Sequence, residues 1–277
     1  MRYEKVTIRT KNTEAELTLY LLDNYPVIDI KRVRPTILIC PGGGYGFVTD
    51  REGEPIAMQM LAQGFHTAVL RYSVTPTRFP IALAEAACSI AYLRKHAKEL
   101  GVDPSKIIMA GFSAGGHLAA SLGVFWQEEW LTEYTGYTPE QIRPNALILS
   151  YPVVTSGEFA HTGSFKNLLG ENAAKELLEY VSVEKKVTNK VPPCFMWHTV
   201  GDMSVPVENS LIFASALRIA GVKFELHIFP QGAHGLALAT EETASYGKGN
   251  FNPKLQLRPE CAEWIRLAGR FVKEELE

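Results

Sequence analysis

Short apolar runs alternate with helix-forming stretches along almost the whole of this chain. The runs are continuously apolar rather than apolar at every second residue, which is typical of strands that a parallel sheet buries on both faces. The stretches between them begin near proline and end near glycine, as at residues 53–64 and 80–101, and these residues mark helix ends. The alternation therefore predicts a doubly wound α/β fold with about eight strands in a mostly parallel sheet. The runs after the N-terminal strands are TILIC (36–40), HTAVLRY (66–72), KIIMAG (106–111), ALILSYP (146–152), PCFMWHT (193–199) and KFELHIF (223–229).

The composition is that of an ordinary globular protein, with 46% hydrophobic residues, 21% charged residues and a formal net charge of −2. Lysine and arginine are dispersed, so the sequence predicts neither a nucleic-acid-binding surface nor a membrane-surface helix. Residues 1–22 alternate charged and apolar residues as a strand does and lack the apolar core of a signal peptide, which predicts a cytoplasmic protein. The four cysteines are far apart without C-x-x-C spacing, so we expect buried free thiols and no zinc site.

Residues 1–277 fit a single domain, because no composition break or low-complexity stretch divides them. Two segments, 126–145 and 155–190, are longer than a plain crossover requires. Both are taken to follow strands at the ligand face and are predicted to form a small cap. Their aromatic residues either offer flat surfaces to sugar rings or attach the cap to the domain. These residues are Trp126, Trp130, Tyr134, Tyr137 and Phe165.

The sequence GFSAGG (residues 111–116) stands between a predicted strand and a predicted helix. Open α/β sheets bind ligands beyond the carboxyl ends of their strands, so these ends are where catalytic residues are expected. Gly-x-Ser-x-Gly between a strand and a helix is the nucleophile elbow, in which small neighbours let the strand and helix approach around a strained serine. A serine in an ordinary small-residue turn is the alternative, and the flanking strand and helix favour Ser113 as a nucleophile.

A serine nucleophile needs an imidazole to take its proton and a carboxylate to orient that imidazole. Asp202 and His234 follow the last two predicted strands, and they give the chain order Ser, Asp, His that is expected after a nucleophile elbow. Taken singly, Asp202 suits a turn or helix cap and His234 a loop, but their joint position favours catalysis. His117, four residues after Ser113, is predicted to be packed, and His161 in the supposed cap lacks the required place in the order.

The glycine run Gly42–Gly44 follows the first buried strand. Unobstructed N–H groups of Gly43 and Gly44, together with that of Ala114, are predicted to form an oxyanion hole. Tyr45, the next residue, is predicted to contact substrate. A phosphate-binding loop is the alternative, but the run lacks the Gly-Lys-Ser/Thr ending and the full G-x-G-x-x-G of such loops. Neither a metal nor an organic cofactor is expected.

The motifs CPGGGYGF, LRYSV, GFSAGGHLAA, SYPV, GDMSVP and GAHGLALA resemble those of the α/β-hydrolase superfamily over nearly the whole chain. They are most similar to the bacterial esterase/lipase family that includes acetylxylan esterase-like and feruloyl-esterase-like enzymes. Pro41 stands where the hormone-sensitive-lipase branch has histidine, and a serine at 113 separates the chain from dienelactone hydrolases. The resemblance implies an α/β-hydrolase fold and hydrolysis of carboxylic esters by Ser113, Asp202 and His234, with short acyl esters of sugars as the expected substrates.

Two other functions remain open from the sequence. A peptidase related to prolyl oligopeptidases would share the order of the three residues, although the chain lacks room for the propeller domain of those enzymes. A catalytically silent binding protein on the same fold is the second alternative, because a fold does not guarantee activity. The expected partner is a small-molecule ester, and the sequence leaves a homo-oligomer open.

Overall fold

The computed structural model describes residues 1–245 and 255–277, and within them eight strands form one sheet. The central strands are apolar runs in which proline and glycine stand towards the ends, as Pro35, Pro104 and Gly111 do. The strands are β1 (Arg2–Arg9), β2 (Glu14–Leu21), β3 (Arg34–Cys40), β4 (His66–Arg71), β5 (Val102–Phe112), β6 (Ala146–Ser150), β7 (Cys194–Thr199) and β8 (Phe224–Phe229).

The strands are ordered β1-β2-β4-β3-β5-β6-β7-β8 across the sheet. β1 pairs antiparallel with β2 and β2 pairs antiparallel with β4, whereas every pair from β4 to β8 is parallel. The prediction of a mostly parallel sheet with about eight strands is confirmed.

Successive side chains of the central strands enter two separate cores, one on each face of the sheet. Leu38 and Met109 point into the first core and Ile37 and Ile108 into the second, which is the alternation that a pleated strand imposes. Because both faces are buried, the strands need apolar residues at every position. The described helices are α1 (Glu54–Ala62), α2 (Ile81–Lys95), α3 (Ala97–Leu100), α4 (Ala114–Phe125), α5 (Glu129–Thr135), α6 (Pro139–Ile142), α7 (Thr162–Leu169), α8 (Lys175–Tyr180), α9 (Glu208–Ile219), α10 (Pro259–Ala262) and α11 (Trp264–Glu275).

The parallel strands end at a common carboxyl edge. Cys40 of β3 pairs with Gly111 of β5, and Phe112 of β5 pairs with Ser150 of β6. Thr199 of β7 pairs with Phe229 of β8. Since the strand ends are aligned, the loops that follow β3, β5, β7 and β8 are brought to one side of the molecule.

The structure corrects the placement of segment 126–145. This segment follows helix α4 rather than a strand, and its helices α5 and α6 pack on α2 at the side of the sheet. Of the two roles left open for its aromatic residues, the contacts fit attachment to the protein: Trp130 Nε1 donates to the Tyr180 hydroxyl at 2.8 Å, and Trp126 Nε1 donates to the Lys190 carbonyl at 3.2 Å. Segment 155–190 does follow a strand, β6, and carries α7 and α8.

No helix within residues 1–245 and 255–277 combines the length and the apolar character needed to cross a bilayer.

Candidate active site

Ser113 stands alone between β5 and α4 in a backbone conformation that non-glycine residues rarely adopt, with φ 55° and ψ −118°. The glycines on either side make this turn sterically feasible. A Cβ on Gly111 would lie 2.1 Å from the Gly115 carbonyl oxygen, and one on Gly115 would lie 2.0 Å from the Cys40 carbonyl oxygen. The strand and the helix therefore approach as closely as a nucleophile elbow requires.

The structure brings Ser113, His234 and Asp202 into one hydrogen-bonded chain. The Ser113 Oγ lies 2.7 Å from His234 Nε2, and His234 Nδ1 lies 2.6 Å from Asp202 Oδ2. The carboxylate accepts the Nδ1 proton, so the neutral ring carries its lone pair on Nε2, facing the serine hydroxyl. This geometry lets the imidazole take the proton of Ser113 without moving.

Asp202 is buried, and its two oxygens have separate partners. Oδ1 accepts from the N–H groups of Ser204 and Val205, each at 2.9 Å, while His198 Nε2 lies 3.3 Å from Oδ2. Burial alone raises the pKa of the carboxyl, but hydrogen bonds from His198, His234 and the backbone outweigh it and hold the pKa well below its ordinary value. Asp202 is thus an anion at neutral pH.

The glycine loop after β3 is fixed by its carbonyl groups. The Gly42 carbonyl accepts from Thr49 N–H at 3.0 Å, and the Gly44 carbonyl accepts from Asn167 Nδ2 at 2.9 Å. A Cβ at Gly43, where φ is 131°, would lie 2.0 Å from the Phe47 carbonyl oxygen. Among the described residues, no acceptor faces the N–H of Gly43 or Gly44. Both N–H groups belong to residues of the pocket wall beside Ser113.

Tyr45 lies elsewhere than predicted. Its side chain is buried in the core, where its hydroxyl meets His117 Nδ1 at 2.8 Å, and it does not line the pocket. The positive φ of 56° turns the chain at this residue and sends the ring inward. His117 Nε2 donates to the Val181 carbonyl at 2.9 Å, so Nδ1 accepts from the tyrosine; burial lowers the pKa of His117 to about 4.

Three residues of the site were missed in the sequence. His161 caps α7, with its Nδ1 3.3 Å from the Ser164 N–H, and its ring faces the pocket. Burial lowers its pKa, and the neighbouring His234 lowers it further. Asn167 on α7 supports the glycine loop, and Glu52 forms part of the wall. None of the three directly follows a strand of the sheet, so the search for catalytic residues at strand ends gave no signal for them.

These residues enclose an open pocket of about 400 Å³. Its lining is mixed, with backbone, hydroxyl, amide and charged groups around a single large apolar side chain, Phe47, among the described residues. No group of three or more histidine, cysteine or acidic side chains is arranged to hold a metal ion in the described parts of the chain. The lining residues are Gly43, Gly44, Phe47, Thr49, Arg51, Glu52, Ser113, His161, Gly163, Asn167, Ser204, His234 and Gly235.

A serine, a histidine and an aspartate joined by hydrogen bonds at the carboxyl edge of this sheet are the arrangement of an α/β-hydrolase. The sequence profile of the BD-FAE family matches residues 22–217. This match covers more than half of the chain, and the chain belongs to the BD-FAE family.

Two named relatives of the chain are xylan-related enzymes. The chain is 38% identical over 239 residues to endo-1,4-beta-xylanase B of Butyrivibrio fibrisolvens, and 30% identical over 206 residues to the acetylxylan esterase of Xylanibacter ruminicola. These matches cover 84% and 72% of this chain but only 37% and 40% of the relatives' own lengths. A crystal structure of an acetyl ester-xyloside bifunctional hydrolase from Caldicellulosiruptor lactoaceticus superposes with a TM-score of 0.79 at 37% identity, covering 95% of this chain and 89% of that one.

Proposed function

We propose that this chain hydrolyses short-chain acyl esters, above all acetyl esters, of a sugar or a similarly polar alcohol. The observation that carries the proposal is the pocket beside Ser113, with its limited volume and, within residues 1–245 and 255–277, Phe47 as its one large apolar lining residue. A site built for long acyl chains would need a continuous apolar surface, because each buried CH₂ contributes only about 0.8 kcal/mol. The acetyl preference is also supported by the names of the xylan-related relatives.

The proposed reaction begins when Ser113 Oγ attacks the ester carbonyl while His234 Nε2 accepts its proton. Asp202 holds the ring and stabilises the imidazolium that forms. The N–H groups of Gly43, Gly44 and Ala114 would donate to the developing oxyanion. The imidazolium then protonates the leaving alcohol, and a water activated by His234 releases the acid from the acyl-enzyme.

The nucleophile is tested with Ser113→Ala. The variant should fold normally and lose ester hydrolysis by about 10⁴- to 10⁶-fold, since only the attacking oxygen is removed. Purified variant and wild type are compared on p-nitrophenyl acetate. Retention of more than a few per cent of the activity would exclude Ser113 as the nucleophile.

The substrate class is tested by varying acyl length and alcohol together. We expect p-nitrophenyl acetate to be hydrolysed with higher kcat/KM than the octanoate, and acetylated xylose or xylo-oligosaccharides to release acetate. Efficiency that rises from C2 to C12, with acetylated sugars inert, would overturn the proposal. The cytoplasmic location stays a prediction from the sequence.

A further inference from the structure

Glu52 is a buried carboxylate beside the nucleophile, and the proposed reaction does not use it. Only 3% of its surface is exposed, and it lies at the end of a short 3₁₀ turn, Asp50–Glu52, in the wall of the pocket. Burying a carboxylate is costly unless both of its oxygens have hydrogen-bond donors. Here both do: Oε2 accepts from the Gly42 N–H at 2.8 Å, and Oε1 accepts from the Tyr151 hydroxyl at 2.7 Å.

These two donors belong to different loops, one after β3 and one after β6. Gly42 begins the glycine loop whose next two N–H groups are the proposed oxyanion donors. Tyr151 follows β6, with an unusual φ of 38°, and its hydroxyl oxygen accepts from the Ala237 N–H at 2.9 Å. Its ring also meets that of His234 edge to face, with centroids 5.2 Å apart. Glu52 therefore connects the glycine loop, through Tyr151, to the loop that carries His234.

The preceding residue reinforces this connection. Arg51 donates to the Gly235 carbonyl at 2.9 Å and to the Thr243 carbonyl at 2.6 Å. Residues 51 and 52 thus hold the His234 loop by two independent routes, one through its carbonyl groups and one through Tyr151.

We propose that Glu52 is a positioning residue that fixes the oxyanion donors relative to His234. The proposal rests on the proposed ester hydrolysis. A carboxylate suits this role because it accepts on both oxygens and donates on neither, whereas a glutamine would turn an NH₂ group towards one of the two donors. Its negative charge also lies on the wall shared with His234, where positive charge develops when the ring takes the serine proton.

The chain contains a matched control two residues away. Glu54 begins α1 and is exposed, and its Oε2 accepts from the Tyr20 hydroxyl at 2.7 Å. It has the same side chain and the same kind of tyrosine partner as Glu52, but in the described part of the chain it accepts no hydrogen bond from the glycine loop or the His234 loop. A general effect of removing one glutamate charge near α1 would appear in both variants.

The test compares kcat and KM on p-nitrophenyl acetate for wild type, Glu52→Gln, Tyr151→Phe, the double variant and Glu54→Gln. Glu52→Gln should lower kcat about 10- to 100-fold with KM changed less than threefold, since a displaced oxyanion donor affects the transition state more than the substrate. Tyr151→Phe should lower kcat about fivefold, and the double variant should resemble Glu52→Gln because the two act through one connection. Glu54→Gln should stay within twofold of wild type.

Several outcomes would overturn the proposal. These are a kcat for Glu52→Gln within threefold of wild type, a rise in KM at unchanged kcat, or effects of Glu52→Gln and Tyr151→Phe that multiply in the double variant. If Glu52→Gln does not fold, Tyr151→Phe and Glu52→Asp decide. An unchanged kcat in Tyr151→Phe counts against the connection. So does a Glu52→Asp variant that has no more activity than unfolded protein.

A readout without turnover separates this proposal from the proposed function. The proton between His234 Nδ1 and Asp202 should give a low-field ¹H NMR resonance that is absent from His234→Ala. It should shift or broaden in Glu52→Gln and stay in place in Glu54→Gln. If the wild type hydrolyses no ester, the proposed function fails while such a shift still supports the positioning role; an unshifted resonance in Glu52→Gln overturns that role.

Discussion

Segments 126–145 and 155–190 look alike in the sequence, but they lie at different places on the sheet. Segment 155–190 leaves the carboxyl end of β6 and supplies His161 and Asn167 to the pocket. Segment 126–145 leaves the end of α4 and packs through α5 and α6 on α2, with no residue in the pocket.

The direction of the preceding element explains the difference. A crossover helix runs back along the sheet, antiparallel to the strands, so a segment that follows a helix starts near the amino edge. A segment that follows a strand starts at the carboxyl edge, where open α/β sheets bind ligands. An insertion can therefore be assigned to the binding side of such a fold by asking whether a strand or a helix precedes it.

The largest expected effect is at the carboxyl edge itself. Asp202→Asn should lower kcat by about 10⁴-fold, because an amide at this position favours the wrong tautomer of His234. The protein should remain folded, and kcat on p-nitrophenyl acetate is the measurement. Near-normal turnover would show that another group orients the imidazole and that the His234–Asp202 contact is not needed for catalysis.

At the other edge we expect a loss of stability without a loss of activity. Leu131 of α5 is fully buried, and Leu131→Ala should lower the free energy of unfolding by about 2–5 kcal/mol through the cavity it leaves. Urea denaturation measures this loss. The kcat/KM of the folded variant should stay within twofold of wild type; a tenfold change would mean that segment 126–145 does influence the site.

A smaller effect is expected from the segment that reaches the pocket. Asn167→Ala removes the amide that holds the Gly44 carbonyl, and we expect kcat to fall about three- to tenfold, the value of roughly one hydrogen bond. Lys166→Ala, an exposed neighbour on α7, is the matched control and should leave kcat unchanged. Equal kcat values for Asn167→Ala and Lys166→Ala would show that segment 155–190 does not influence the site through Asn167.

The smallest expected effect concerns stability in acid, and here we expect no difference between the two edges of the sheet. His66 opens β4 at the amino edge and His117 lies on α4 below the elbow, and burial lowers the pKa of each to about 4. Between that value and the ordinary pKa of about 6.5, the unfolded chain binds more protons than the folded one. Stability should therefore fall as the pH falls through this range, by about 1.4 kcal/mol per pH unit for each histidine.

Urea denaturation at pH 7, 6 and 5 measures this slope. His66→Gln and His117→Gln should each make it shallower by about the share of one histidine. A slope that neither variant changes would show that other groups take up the protons.

The sequence was sufficient to predict the residues that stand directly after a strand. The short motifs that follow β3, β5, β7 and β8 locate the glycine loop, Ser113, Asp202 and His234. The apolar runs predict the sheet itself. These features could be predicted because strand direction and strand end are local properties of the chain.

The residues that the sequence misplaced or missed depend on contacts between distant positions. Glu52 stands directly before the helix-forming stretch 53–64, and its partner Tyr151 is 99 residues away along the chain. Tyr45 differs from expectation because a single positive φ turns its ring towards His117. His161 belongs to a segment whose path over the sheet edge no local pattern fixes.

The four cysteines provide a way to observe how the molecule opens. All are buried, and burial raises the pKa of the Cys88 thiol to about 11 and that of Cys261 to about 12, so thiolate is scarce at neutral pH. Alkylation then requires the surrounding structure to separate first. Cys40, Cys88 and Cys194 lie in the core on one face of the sheet and Cys261 in the core on the other. Rates of thiol modification, measured for each cysteine-containing peptide, would therefore show whether the two cores open together or independently.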